Sequence, residues 1–252
     1  MKGLQLYTVR DLMTDTATAE NTIKKIAEMG YETIQLAGTI EDIERAADVC
    51  ARLNMPCIGI LASMSFLVSI DEHDSYTERL LNCAKLVGAK DIGISSTAKN
   101  LQTANDIITR ANAFAKIIRN AGYTFSYHNH SNEFIRTENG KTVMDLFVEG
   151  FDKELIDFMP DTYWLQHGGA DVRHFIEEHS DRIKMIHLKD MKRTPEGVTF
   201  AELGKGNIYL EGVIKLAERL GINDFIVEQD KCDGDPLESA RISIEYLKSI
   251  GL

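Results

Sequence analysis

With 252 residues and a formal net charge of −11, the chain is long enough for one large domain or two small ones, and too acidic to favour a nucleic-acid partner. Its longest apolar run, near 58–70, is broken by Ser and Gly, which argues against a membrane span. Four scattered cysteines, Cys50, Cys57, Cys83 and Cys232, lack CxxC spacing and read as reduced thiols rather than a disulfide frame or a zinc knuckle.

The N-terminal segment MKGLQLYTVR enters a first strand almost at once, with no apolar leader region or cleavage site, so a cytoplasmic protein is expected. A unit then recurs: an amphipathic helix, a Gly, two or three linking residues and a β-rich run. The copies are AEMG-YETIQL (27–36), KLVG-AKDIGI (85–94), RNAG-YTFSYH (119–128) and ERLG-INDFIV (218–227). A fifth, ARLN-MPCIGI (51–60), places Asn54 where the others have Gly. Gly and Asn are the residues that accept a left-handed helix C-cap. Ile107, Ala111, Phe114, Ala115 and Ile118 carry helical spacing.

The pattern predicts eight strands, at about 3–8, 32–37, 56–61, 91–95, 123–128, 156–161, 183–188 and 224–228, each followed by a helix, a short one near 143–150. Alternating strands and helices imply parallel pairing. Eight such units suit a single (β/α)8 TIM barrel over 1–252, a fold of roughly 250 residues. The rival, a doubly wound open sheet, usually carries a Gly-rich phosphate loop after its first strand, and none is present here.

Four of these strands stop on ligand-type residues: His128, Asp161, His187 and Glu228. In such barrels the chemistry lies at the C-terminal strand ends. Alternation puts His128 with His130, and His187 with Lys189, on one face. A mixed carboxylate and imidazole set suits Mn²⁺, Co²⁺, Mg²⁺ or Zn²⁺. An open coordination position beside such a set would engage a sugar hydroxyl and carbonyl together. Trp164 and Tyr7 are candidate walls for a sugar ring, because sugars stack on aromatic faces; core packing is the competing reading. Gly204-Lys205-Gly206 reads either as a phosphate cradle or as a tight loop before a helix. His73, His167, His174 and His179 read as solvent-exposed.

The segments YHNHSNEF (127–134), PDTYW (160–164), IHLKDMKR (186–193), ELGKGNI (202–208) and VEQD (227–230) resemble the xylose isomerase-like TIM-barrel superfamily. That family includes sugar phosphate isomerases and epimerases, inosose dehydratases and endonuclease IV. The resemblance runs over nearly the whole chain. It implies a divalent metal held by a Glu, an Asp, a His and a Glu from strands five to eight. Asp161, His187 and Glu228 match that set position by position. The family's substrate-contacting Arg falls on Arg193. Where epimerases carry a His that contacts substrate, this chain has Trp164. The fifth strand also departs, with His128 in the Glu position and Glu133 in the following loop. Either His128 or Glu133 completes the set. Glu133 is preferred because it restores the three-carboxylate charge, which leaves His128 as a substrate contact.

The implied activity is that of a sugar isomerase or epimerase acting on a ketose or ketosugar, phosphorylated or not, through an enediolate. Glu133, Glu228, His130 and Lys189 are the candidate acids and bases. An inosose-type dehydratase is the alternative, and a catalytically silent sugar-binding barrel a further one. Endonuclease IV chemistry needs more His ligands and a basic face. The sequence leaves room for a homo-oligomer.

Overall fold

A computed structural model describes residues 1–66, 70–71 and 73–252; part of the apolar run near 58–70 lies outside them. Eight parallel strands form the barrel wall. They are β1 (Lys2–Gln5), β2 (Thr33–Ala37), β3 (Cys57–Ser63), β4 (Asp91–Ser95), β5 (Thr124–His128), β6 (Asp157–Met159), β7 (Ile186–Leu188) and, after an inserted hairpin, β10 (Phe225–Val227). The order around the wall is β6-β5-β4-β3-β2-β1-β10-β7. Two parallel bridges, Phe158↔Ile183 and Asp161↔His187, bring β6 back to β7 and nearly close the circle. The expected (β/α)8 barrel is the fold.

The helices are α1 (Thr16–Met29), α2 (Ile40–Leu53), α3 (Ser75–Val87), α4 (Leu101–Asn120), α5 (Val143–Gly150), α6 (Thr162–His167), α7 (Val172–Glu178), α8 (Leu210–Arg219) and α9 (Pro236–Ser249). Their starts are written in the sequence. Asp15, Thr39, Asn100 and Thr142 each form a capping box with the residue three places on, and such caps typically contribute about 1 kcal/mol each. Asn54 ends α2 at φ 53°, the left-handed conformation that the repeat pattern predicts for it.

The shell core lies between strands and helices, where Ile107, Ala111, Phe114, Ala115 and Ile118 of α4 are all buried. A separate small cluster, Ile58, Met159, Met185 and Ile226, packs apart from it. Cys50, Cys57 and Cys83 are buried free thiols and Cys232 is half-buried and free. Among the described residues no helix is long and apolar enough to cross a membrane.

Two expectations need correction. The first strand stops at Gln5, because residues 6–12 coil into a 3₁₀ turn. The unit after β7 is not a simple strand–helix step. An antiparallel hairpin, β8 (Asp190–Thr194) with β9 (Gly197–Ala201), intervenes before α8.

Candidate active site at the strand ends

The strand-end residues converge. One ligand atom each from His128, Asp161, His187 and Glu228 lies within 4.8 Å of the others, and all four residues are buried. Each backbone position is fixed locally. Asp161 caps α6 by accepting from Trp164 N at 2.9 Å, and its own N–H donates to Asn129 Oδ1 at 3.0 Å. His187 N donates to Pro160 O at 2.9 Å across the β6–β7 seam.

His187 Nε2 meets Gln35 Oε1 at 2.8 Å, and that oxygen also accepts from Gln5 Nε2 at 2.6 Å. Nε2 therefore carries the proton, and the lone pair of Nδ1 faces Glu228 Oε2 at 2.9 Å. Two acceptors face each other, an arrangement that calls for a cation between them. His128 Nδ1 and Nε2 and Asp161 Oδ2 are buried without a hydrogen bond. His128 Nε2 stands 3.5 Å from Asp161 Oδ2 and 3.7 Å from Glu228 Oε2. This donor set fits a divalent metal: two carboxylates and two imidazoles, with both His128 nitrogens free of hydrogen bonds.

A cation of the chain's own already reaches the same oxygens. Lys189 Nζ lies 3.0 Å from Asp161 Oδ2, 3.0 Å from Glu228 Oε2 and 2.8 Å from Asp230 Oδ1. Burial opposes the Lys189 charge, but the three carboxylates outweigh it and hold the ammonium above its ordinary range. Burial also opposes charge on His128, yet Asp161 and Glu228 push its pKa up to about 9. His130 goes the other way: burial, with His128 and Lys189 adding to it, brings it down to about 4, so its imidazole is neutral at pH 7. Burial raises Asp230, against the pull of Lys189.

Glu133 takes no place in this cluster. It is fully buried; its Oε1 accepts from Tyr127 OH at 2.7 Å and its Oε2 from His130 N at 3.0 Å. Ser96 Oγ lies 2.7 Å from the same Tyr127 hydroxyl. Glu133 thus holds the end of β5 in shape. The residue that the structure brings to the cluster from this strand is His128, the alternative to Glu133.

A cavity of about 660 Å³ opens beside the cluster. His128, His130, Lys189, Glu228 and Tyr7 line it. Among the described lining residues, Glu133, Arg193 and Trp164 are absent. Arg193 is carried outward on the β8–β9 hairpin, exposed, with its N–H on Asn207 Oδ1 at 2.7 Å. The structure therefore does not bring the expected substrate anchor to the cavity. Trp164 packs between His130 (ring centroids 5.3 Å apart) and Phe200 (5.7 Å). Gly204-Lys205-Gly206 proves to be a loop wrapped around a carboxylate. Asp190 accepts from the N–H groups of Gly204, Gly206, Ile208 and Met191, which fills the cradle. Sequence reasoning missed Gln5, Gln35 and Asp230 beside the cluster and Arg10 and Arg45 on the cavity wall. For Gln5 and Gln35 a signal existed, a polar side chain inside an apolar strand; for Arg45, on a helix, there was none.

A family model for the xylose isomerase-like TIM barrel matches residues 23–250. The chain belongs to this family. Among its relatives, the inosose dehydratase of Mesomycoplasma hyopneumoniae (strain J) is 23% identical over 92% of this chain and 88% of that protein. The match to the inosose dehydratase of Lactiplantibacillus plantarum, 25% identical, covers 57% of this chain and only about half (53%) of that protein's length. A sugar phosphate isomerase/epimerase from Parabacteroides distasonis superposes with a TM-score of 0.76 at 22% identity, over 98% of this chain and 93% of that one. That likeness is one of fold.

Proposed function

We propose that the protein is a metal-dependent sugar isomerase or epimerase that moves a proton at the carbon beside a carbonyl of a ketose or ketosugar. The observation that carries this reading is the convergence of His128, Asp161, His187 and Glu228 within 4.8 Å, with both His128 nitrogens buried without a hydrogen bond. A divalent cation held by these four residues would supply Lewis acidity to a carbonyl and its neighbouring hydroxyl.

The chain's own groups then have distinct parts. His130 is neutral at pH 7 and lines the cavity, which suits it to take the proton from carbon. Lys189 stays an ammonium and so is no base; it faces the negative oxygen that develops as the proton leaves. Glu228 is held well below the usual carboxylate range, against its burial, chiefly by the Lys189 ammonium. It is therefore ionised at pH 7 and a weak base.

The test is deuterium wash-in from D₂O, followed by NMR, across ketohexoses, ketopentoses, inososes and their phosphates with Mn²⁺-loaded protein. Exchange at the carbon beside the carbonyl is expected, and its loss in His130→Ala with metal retained. Folded, metal-loaded protein that exchanges no proton with any of them would sink the reading.

A second reading, an inosose-type dehydratase, has its own support. The curated relatives named above are inosose dehydratases, and Lys189 places a proton-bearing group beside the cavity, where a departing hydroxyl needs one. Formation of a dehydrated product rather than an isomer separates the two.

A further inference from the structure

The cavity is larger than one sugar ring needs. A hexose ring displaces about as much volume as six waters, on the order of 200 Å³ at about 30 Å³ per water. The cavity holds about 660 Å³. The surplus extends away from the cluster toward α1 and α2, where small residues, Ala37, Gly38, Ala46 and Ala62, leave the wall open.

The far end carries hydrogen-bonding groups already fixed in place. Arg45 Nη1 donates to Met13 O at 2.9 Å and to Asp42 Oδ1 at 2.8 Å. Asp42 Oδ2 accepts from Thr39 Oγ1 at 2.7 Å. Nearer the cluster, the Arg10 guanidinium lies 4.0 Å from the centre of the Tyr7 ring. It is pinned there by Tyr7 O at 2.7 Å and Asp230 O at 3.0 Å. Tyr7 remains 38% exposed, so ring area is left for a ligand. A held donor beside a held acceptor, with an aromatic ring on the way, matches vicinal hydroxyls on a second ring. A phosphate fits less well, because the Asp42 carboxylate would face it.

We infer that this end of the cavity is a second sugar subsite, and that the substrate is a glycoside: a keto-sugar ring at the cluster, joined to a further pyranose ring toward Arg45 and Asp42. The inference rests on the sugar-isomerase reading for the first ring, and its test does not depend on chemistry occurring.

Calorimetric titration of metal-loaded protein compares methyl α-maltoside, methyl β-cellobioside and trehalose, which have no free carbonyl, with methyl α- and β-glucoside and with glucose 6-phosphate. None of the disaccharides or methyl glycosides is a ketose, so binding alone is read. At least one disaccharide is expected to bind roughly tenfold or more tightly than the matching methyl glucoside. Arg45→Met and Asp42→Asn should each reduce that ratio toward one. If no disaccharide outbinds the matching methyl glucoside, or if glucose 6-phosphate binds tightest, the subsite is overturned. Tighter disaccharide binding with no proton exchange on any keto-glycoside would leave the subsite standing and remove the isomerase reading.

Discussion

Lys189 and Asp161 form an ion pair of 3.0 Å between side chains that are 1% and 0% exposed. The carboxylate oxygen in this pair, Asp161 Oδ2, is also an oxygen that a divalent metal at the cluster needs. Lys189 and the metal therefore compete for it. Removing the ammonium leaves Asp161, Glu228 and Asp230 without their common counter-charge. Lys189→Met should accordingly tighten Mn²⁺ binding by roughly ten- to a hundredfold, since a unit charge about 4 Å away is worth at most a few kcal/mol at a partly screened site. Calorimetry on dialysed protein reads this directly, and equal or weaker binding in the variant would refute the competition.

The choice between His128 and Glu133 gives a second prediction. His128→Ala and Asp161→Asn should each lower the metal retained after dialysis, measured by mass spectrometry. Glu133→Gln should leave it nearly unchanged, because both Glu133 oxygens are taken up by Tyr127 and His130. The reverse order would return the ligand role to Glu133.

The Ser96–Tyr127–Glu133 chain predicts a stability effect rather than a metal effect. Tyr127→Phe strips a buried carboxylate of its hydroxyl donor. A cost of about 1–3 kcal/mol is expected, seen as a lower urea midpoint with the slope unchanged.

Asp91, the first residue of β4, gives a pH signature far from the site. Burial raises its pKa to about 6 from 3.8, although Thr124 and Ser126 donate to it. The folded chain therefore holds this proton more tightly than the unfolded chain does. Its contribution to stability is greatest below about pH 4 and is lost as the pH rises to about 6. The loss is about 3 kcal/mol at most, at 1.36 kcal/mol per unit. Asp91→Asn should flatten that decline relative to wild type in urea melts at pH 4, 5, 6 and 7; an unchanged slope would assign the decline to other groups.

The barrel was legible because its signals are local. Apolar runs, capping residues and Asn54 all act within a few positions of themselves. The convergence of Asp161, His187 and Glu228 was legible too, because parallel strands deliver their ends to one rim. What the sequence concealed depends on distance. The charge argument for Glu133 sought a third carboxylate beside Asp161 and Glu228 and left out Asp230, which pairs with Lys189 from beyond the end of β10. Arg193 follows the strand by a fixed count, but the hairpin turns the chain outward before that count is reached. Thr194-Pro195-Glu196-Gly197 was a turn signal there, but the flank before it, Asp190-Met191-Lys192-Arg193, is too polar to read as a strand. Arg45 and Asp42 reach the cavity from a helix face whose pattern reads as an ordinary solvated surface.

The seam between β6 and β7 has a consequence for the molecule as a whole. A circular sheet is only as continuous as its narrowest join, and here that join is two bridges, one of them between Asp161 and His187 themselves. An ion gripped by both residues would act as a clasp across it. Occupancy and circular closure would then be linked by mass action, with the amides of β6 and β7 exchanging more slowly as metal is added. A ring fastened at its candidate metal site would report ligation as rigidity along the seam itself.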